Sequence, residues 1–433
     1  MIQRPRGTRD FSPEEMKKRR LIEGKITDVC KRFGYREVAT PTFEHAELFT
    51  RRSGTGIVKQ MYTFLDKGGR ELALRPEFTA QIMRFYESEL RQLPKPLKLY
   101  YFGNCFRYEE PQKGRYREFW QFGAEAIGGS SPASDVEIIS LAMACIRSMG
   151  IGNFELRIGH VGILKHILRK YNLNVEKQGA LMPFIDKCDT TGLKNKLEEF
   201  KIPKNDSERL IEIVTSKEDI SKLDALEKLL AEDKESLSMV SKWREMLVLL
   251  NAAGVTGYTI DIGIARGLDY YTGVVFEIDA ASLGAEKQIC GGGAYSLSEV
   301  FETEQPYATG FSIGFDRFIL ALESEGIKID KKVNNVYVAP LVDGAKADAE
   351  VQKKAFELAN ALRTHGIPAN IDIAGRNINK SLGYANTIGA KYAVIIGGNE
   401  IKKGVAIIKD MESGEQVEVK LKEVAAYLAK KFS

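Results

Sequence analysis

Two short stretches of the chain gather side chains that are costly to bury unless they have something to bind. Residues 106–128 read F-R-Y-E-E-P-Q-K-G-R-Y-R-E-F-W-Q-F-G-A-E-A-I-G, and residues 266–273 read R-G-L-D-Y-Y-T-G. In the first, Phe106-Arg107-Tyr108-Glu109 enters a loop marked by Pro111 and Gly114, and the alternating E-F-W-Q-F-G-A-E leads out of it. That pattern predicts two half-buried strands around a basic turn. The second stretch runs into the strand-like V-V-F-E-I. Arg107, Gln121, Glu125 and Arg266 are expensive to bury unpaired. Set among Phe106, Phe119, Trp120 and Tyr271, they predict a polar pocket with apolar walls rather than a solvated surface.

The elements that must position these residues are legible in outline. Ser12, Pro13 and Glu15 make a helix start with a capping box, and Ile22, Ile26, Val29 and Phe33 follow at helical spacing until Gly34. Strand-like segments are expected around 35–40, 61–65, 71–74 and 99–106, then a helix over 134–149 and a strand over 153–158. From 163 to 250 strand signals vanish and apolar residues recur at helical spacing, as in Leu223, Leu226, Leu229 and Leu230, so a helical insertion is predicted there. It either grips a large partner or buttresses the fold. Strands resume at 258–262, 274–278 and 287–291 and close with a helix over Phe315–Ser324. Lys331-Lys332-Val333-Asn334-Asn335 reads as a linker. Beyond it strands and helices alternate, as in a small α/β domain: a helix over 344–365, another over 376–389, a hairpin over 405–419 and a last helix.

The composition of the 433 residues, 44% hydrophobic and 28% charged, is that of a globular protein with two or three domains. Five scattered cysteines (Cys30, Cys105, Cys145, Cys188, Cys290) form no C-x-x-C and read as reduced core residues of a cytosolic protein. No apolar run approaches the ~20 residues that span a bilayer, and cytoplasm is the expected location. Residues 331–433 hold 16 Lys+Arg against 11 Asp+Glu, while the first 330 hold 47 against 48. That excess is consistent with phosphate contacts in the C-terminal part, and equally with a solvated surface. Neither G-x-x-x-x-G-K-[ST] nor G-x-G-x-x-G occurs, so any nucleotide phosphates must be held by arginines.

Residues 106–128 resemble motif 2 of the class II aminoacyl-tRNA synthetases. Together with R-G-L-D-Y-Y-T-G they are similar to one family among these, the histidyl-tRNA synthetases. R-P-R-G-T-R-D-F at 4–11 resembles that family's N-terminal signature, and G-Y-R-E-V-A-T-P-T-F-E at 34–44 its motif 1. M-Y-T-F-L-D-K-G-G-R-E-L-A-L-R-P-E-F-T-A at 61–80 resembles its amino-group-binding segment, and G-F-S-I-G-F-D-R at 310–317 its motif 3. The resemblance implies an α/β fold class with the class II synthetase antiparallel sheet flanked by helices. Its parts would be a catalytic domain split into 1–162 and 251–325 by a helical insertion at 163–250, and a C-terminal α/β anticodon-binding domain at 333–433.

It also implies roles. Arg107 would face the α-phosphate of ATP, and Arg317 the distal phosphates. Phe119 would stack on adenine beside Glu109, and Arg115 would touch ATP or the tRNA end. Glu77, Thr79 and Gln121 would surround the histidine ammonium, with Phe78 in the same histidine-binding set. Glu125 and Tyr271 would read the imidazole nitrogens in a pocket shaped by Tyr270. Arg266 would bind the carboxylate and α-phosphate, so that Arg107 and Arg266 are the catalytic pair. Implied partners are L-histidine, ATP with Mg2+, tRNA(His) and a second copy of the chain. In the family motif 1 pairs two subunits, and the face bearing Ile22, Ile26, Val29 and Phe33 offers burial to its own core and, beyond it, to a neighbour. No protein-held metal and no membrane are implied.

At 290–297 the chain reads C-G-G-G-A-Y-S-L where the family often has G-G-G-R-Y-D, so Ala294 and Ser296 replace an arginine and an aspartate. The alternative reading is a non-catalytic, synthetase-like regulatory subunit of histidine biosynthesis. Such subunits generally lack the anticodon-binding domain and erode the motif arginines, whereas this chain has the C-terminal domain and keeps Arg107, Arg266 and Arg317.

Overall fold

The computed structural model describes residues 2–51, 57–264, 270–329, 335–341 and 349–432. They fall into two compact units, 1–330 and 331–433.

The first unit is built on a nine-stranded sheet. Its spatial order is Arg36–Glu37, Leu97–Phe106, Glu118–Ile127, Ala308–Gly314, Gln288–Tyr295, Tyr271–Ala280, Phe154–His160, Tyr258–Asp261 and Lys217–Glu218. Pairing is antiparallel except where Arg36–Glu37 meets Leu97–Phe106 and where Phe154–His160 meets Tyr258–Asp261. Period-two alternation sends Phe122, Ala124 and Ala126 to the sheet face covered by the helices Pro13–Arg32 and Ala133–Arg147. Ile22, Ile26 and Val29 of the first helix and Ile138, Leu141, Ala142 and Cys145 of the second fill that core. The first helix starts as its sequence demands, with Ser12 and Glu15 completing a capping box and Pro13 in the first turn.

Three expectations need correction. The segment 35–40 contributes only Arg36–Glu37 as strand, and Phe43–His45 forms instead a separate three-stranded sheet with Glu71–Leu74 and Thr63–Leu65. Residues 121–127 are buried on both faces rather than half-buried. A second apolar cluster, containing Phe78, Tyr101, Tyr270 and Tyr295, covers the face that alternation alone assigns to solvent. Cys188 is exposed, unlike the other four cysteines.

Between the strands Phe154–His160 and Tyr258–Asp261 run six helices: Val161–Lys170, Val175–Asp186, Thr190–Glu199, Lys204–Thr215, Lys222–Leu229 and Lys234–Ala252. The strand Lys217–Glu218 interrupts them and stitches onto the edge of the main sheet. Their buried side chains, such as Leu164, Leu210 and Trp243, are continuous with the core beneath the sheet.

The second unit has a five-stranded sheet in the order Ala369–Ile371, Val336–Pro340, Tyr392–Ile396, Val405–Asp410, Gln416–Lys420, the first three parallel. Helices Ala349–Thr364 and Val424–Phe432 pack on one apolar cluster and Ile378–Thr387 on another, as the alternating pattern requires. The short helix Gly398–Lys403 was not expected. Residues 331–334 of the linker and 344–348 of the expected helix lie outside the described residues. No helix among the described residues is long and apolar enough to cross a membrane.

Candidate active site

The sheet face opposite the two packing helices carries the chemistry. Along Glu118–Ile127, the side chains of Phe119, Gln121 and Glu125 share this face over ~20 Å, six residues at ~3.3 Å each. The neighbouring strands set Gly310 opposite Glu125, Gly314 opposite Gln121 and Tyr101 opposite Gly123. Glycine is required at two of these positions. A Cβ at Gly310 would lie 1.7 Å from Glu125 Oε2, and one at Gly123 would lie 2.4 Å from the Tyr101 hydroxyl.

Above this floor is a cavity of about 840 Å³. Glu77, Thr79, Arg107, Glu109, Arg115, Phe119, Gln121, Glu125, Tyr270, Tyr271 and Arg317 all line it, although they come from segments up to 240 residues apart. Phe78 is not among the lining side chains: it is buried behind the wall and stacks on Tyr101 with ring centroids 4.4 Å apart. Arg266 lies outside the described residues.

One end of the cavity is acidic and phenolic. Glu125 is 1% exposed; its Oε1 accepts hydrogen bonds from Thr79 Oγ1 (3.1 Å) and the Tyr101 hydroxyl (3.2 Å). Oε2 is buried with no hydrogen-bond partner of good geometry, and so is the nearby Tyr295 hydroxyl. Burial pushes the Glu125 carboxyl up to about 8; the hydroxyls of Tyr295, Thr79 and Tyr101 hold it down in part, and the charge of Glu77 pushes it further up. A carboxyl this deep with only hydroxyl partners is energetically expensive to ionise, and a ligand N–H or cation would favour its charged form. Glu77 accepts from the backbone N–H groups of Thr79 (2.5 Å) and Ala80 (2.9 Å), at the start of helix Thr79–Phe85. Burial raises its carboxyl too, against the pull of those N–H groups and of Arg107. The phenols of Tyr101, Tyr270 and Tyr295 are pushed well up by burial and by the carboxylates beside them, so they stay protonated as donors. Gln121 Oε1 accepts from Cys105 Sγ at 3.3 Å, a thiol kept neutral by burial, which lifts it to about 12.

The other end is cationic. Arg107 Nε donates to the Pro76 carbonyl (2.9 Å), which fixes the guanidinium 5.2 Å from the centre of the Phe119 ring. Arg317 opens the helix Phe315–Ser324, and its Nε and Nη1 donate to the carbonyls of Gly114 (3.2 Å) and Gln288 (3.3 Å). Arg115 pairs with Glu109 within the loop. Three preorganised guanidiniums around an aromatic face suit an anionic ligand with a planar ring, and suit phosphate better than lysine point charges would. The whole cavity therefore fits a pair of ligands: a small one with hydrogen-bonding and cationic groups at the Glu125 end, and a polyanionic one at the arginine end.

Comparison with known proteins agrees with this geometry. A family model described as Histidyl-tRNA synthetase matches residues 7–318, and one described as Anticodon binding domain matches residues 335–431. Curated relatives include the histidine–tRNA ligase of Archaeoglobus fulgidus, 45% identical over 427 residues, which covers 99% of each chain. That of Methanocaldococcus jannaschii is 45% identical over 417 residues, 96% of this chain and 97% of the relative. The chain belongs to the histidyl-tRNA synthetase family. Among solved structures, the apo histidyl-tRNA synthetase of S. aureus is 31% identical with a TM-score of 0.76, covering 99% of this chain and all of that one. A Bacillus halodurans structure described as an ATP phosphoribosyltransferase regulatory subunit/histidyl-tRNA synthetase is 25% identical with a TM-score of 0.78, covering 92% and 99%.

The departure of this family member at 294 and 296 falls outside the cavity lining. Ala294 is fully buried and lies against Gly273, where an added Cβ would come within 3.1 Å of its methyl group. Ser296 hydrogen-bonds Ser298 Oγ at 3.0 Å, and its backbone N–H donates to the Tyr270 carbonyl. The Ser296 backbone thus ties to the Tyr270 backbone in the wall. The sequence did not single out Tyr101, Tyr295, Gln288 or the wall made by Gly179, Met182, Pro183 and Lys187 of the insertion. Tyr295 was findable, since it follows the glycine run of a singled-out stretch. The insertion wall carries no local signal.

Proposed function

We propose that the protein is a histidine–tRNA ligase, and that the buried Glu125 carboxyl facing a cavity with three arginines at its far end is the observation that carries this reading. In the first step a histidine carboxylate oxygen attacks the α-phosphorus of ATP in line; the bond to the β-phosphate oxygen breaks and pyrophosphate leaves. In the second, a terminal ribose hydroxyl of tRNA(His) attacks the acyl carbon of histidyl-adenylate, and AMP departs with the bonding pair. No covalent enzyme intermediate is needed, so the side chains act by position and charge.

Glu125 and Tyr271 read the two imidazole nitrogens, with Tyr270 shaping the pocket. Glu77, Thr79 and Gln121 accept from the α-ammonium, and Phe78 supports that group from behind through Tyr101. Phe119 stacks on adenine beside Glu109, Arg107 holds the α-phosphate, Arg317 the distal phosphates, and Arg115 either ATP or the tRNA end. Arg266 bridges the carboxylate and α-phosphate, a role that rests on the family resemblance. Mg2+ would accompany ATP as part of the substrate and neutralise its polyphosphate charge. The curated ligases, 42–45% identical over nearly the full length, favour this reading over a regulatory subunit. We assign the reaction to the cytoplasm.

The helical segment 163–250 is, in this reading, an insertion between the two catalytic portions 1–162 and 251–325, and residues 333–433 grip the anticodon. Removal of residues 331–433, which have their own core, leaves adenylate formation within a few-fold of the full chain but lowers transfer to tRNA by ~10²-fold. Pyrophosphate exchange and aminoacylation measured side by side check this. Unchanged aminoacylation would mean that the tail does not bind tRNA.

We also propose a homodimer. The face of the first helix cannot supply the contact, because Ile22, Ile26 and Val29 are consumed by their own core. The three-stranded sheet that contains Phe43–His45 instead exposes Phe43 and Phe64 on one face, at 52% and 43%, with ring centroids 6.4 Å apart. Apolar side chains clustered this way on one surface suit a self-complementary two-fold contact. Light scattering at low micromolar concentration is expected to give twice 48.4 kDa for the native chain and a shift toward 48.4 kDa for Phe64→Glu. A monomeric, fully active native protein would remove the dimer from the account.

A further inference from the structure

The N-terminal segment 4–11 lies across the loop 107–117 that carries Arg107, Glu109 and Arg115. The Gly7 carbonyl accepts from the backbone N–H of Arg117 at 2.9 Å, and a Cβ on Gly7 would lie 2.7 Å from Arg117 Cγ, so Gly7 packs tightly against the Arg117 side chain. Arg9 is the centre of the contact. Its guanidinium sits 3.6 Å from the centre of the Tyr116 ring in the loop, and its Nη2 pairs at 2.5 Å with Asp316 Oδ1. Asp316 immediately precedes Arg317, and it is 4% exposed. Its other oxygen accepts from the backbone N–H of Trp120 at 2.9 Å, and Arg19 Nη1 adds a second ion pair at 2.8 Å. From the far side, Arg317 itself grips the loop through the Gly114 carbonyl.

We propose that Arg9 is a positioning residue for adenylate formation: by bridging Tyr116 and Asp316 it locks the loop 107–117 against the helix that presents Arg317. The inference rests on the proposed ligase activity and deepens it. Asp316 keeps Arg19 and Trp120 when Arg9 is removed, so its carboxylate stays paired and the fold survives. What is lost is the Tyr116–Asp316 bridge, so the loop is left on the Arg317–Gly114 contact, and the spacing of Arg107, Arg115 and Arg317 around the polyphosphate loosens. The Glu125 end, some 20 Å along the strand, does not depend on this link.

The test is steady-state pyrophosphate exchange by full-length Arg9→Ala, Arg9→Lys and Tyr116→Leu, with thermal unfolding and tryptic cleavage after Lys113 and Arg115 followed in parallel. Arg9→Ala is expected to raise KM for ATP ~10-fold while KM for histidine stays within ~2-fold. The melting temperature should move by no more than ~3 °C, and loop cleavage should accelerate. Arg9→Lys, which keeps the charge for Asp316 but lacks the planar face for Tyr116, falls in between. Tyr116→Leu, with the ion pair intact, reproduces the faster cleavage and the raised KM for ATP. An active native enzyme with unchanged kinetics in Arg9→Ala would overturn this inference alone. So would parallel rises in both KM values with a lowered melting temperature, since that is the signature of a merely structural arginine. A native protein without histidine-dependent exchange would overturn the ligase reading itself, and this role with it.

Discussion

Glu125→Gln is expected to make the protein more stable and nearly useless for recognising histidine. The native carboxyl is fully buried and displaced from its ordinary 4.5 to about 8. A folded-state value above the unfolded one means that the group favours the folded state fully only below pH ~4.5, and that this contribution is lost as pH rises through 8. Glutamine carries no such penalty, so the variant gains on the native protein across that window. The gain is at most on the order of 5 kcal/mol at pH 8, reduced by whatever the new amide leaves unpaired. Melting curves at pH 5 and pH 8 check it: near-equal curves at pH 5, and a variant several degrees more stable at pH 8. In the same protein, KM for histidine should rise ~10²-fold or more, because the carboxyl that pairs with the imidazole is replaced by an amide with a different donor–acceptor pattern, while KM for ATP stays within ~3-fold. Equal shifts for both substrates would remove Glu125 from the imidazole site.

The second large effect is electrostatic. Arg107→Ala should lower the maximal exchange rate by ~10²–10³ with the protein still folded, since one preorganised cation on a developing phosphorane charge is worth that much. Arg107→Lys recovers only part, because the Pro76 carbonyl and the Phe119 face together orient a planar fork that lysine does not have. Arg266→Ala is expected to be at least as severe, as it would meet both reacting groups. Single-turnover rates at saturating ATP and histidine separate this loss from weakened binding. A folded Arg107→Ala protein with near-native rates would place the α-phosphate elsewhere.

Much of this was readable before any coordinates, and the reasons are physical. Phe119, Gln121 and Glu125 declare a common face because strand side chains alternate, and the capping box at Ser12 and Glu15 declares a helix start because orphan N–H groups need acceptors. Periodicity does not say what covers a sheet. It left Gln121–Ile127 half-exposed, whereas Tyr101, Tyr270 and Tyr295 close that side through contacts between distant segments. Phe78 shares a stretch with Glu77 and Thr79 and reads as a site residue, yet it is buried in the core and stacks on Tyr101. The short strand Phe43–His45 lacks enough residues to show a period at all. Arg9 stands in the stretch 4–11 that resembles the family's N-terminal signature, but the sequence assigns it no role, because its partners Tyr116 and Asp316 lie 107 and 307 residues away.

The central claim is that one cavity activates histidine with ATP, and histidine-dependent exchange of labelled pyrophosphate into ATP by the purified native chain tests it most directly. The expected result is rapid exchange that requires histidine, is not supported by other amino acids, and disappears in Arg107→Ala. No exchange under conditions where the protein is folded and dimeric, or exchange indifferent to the amino acid supplied, would contradict it.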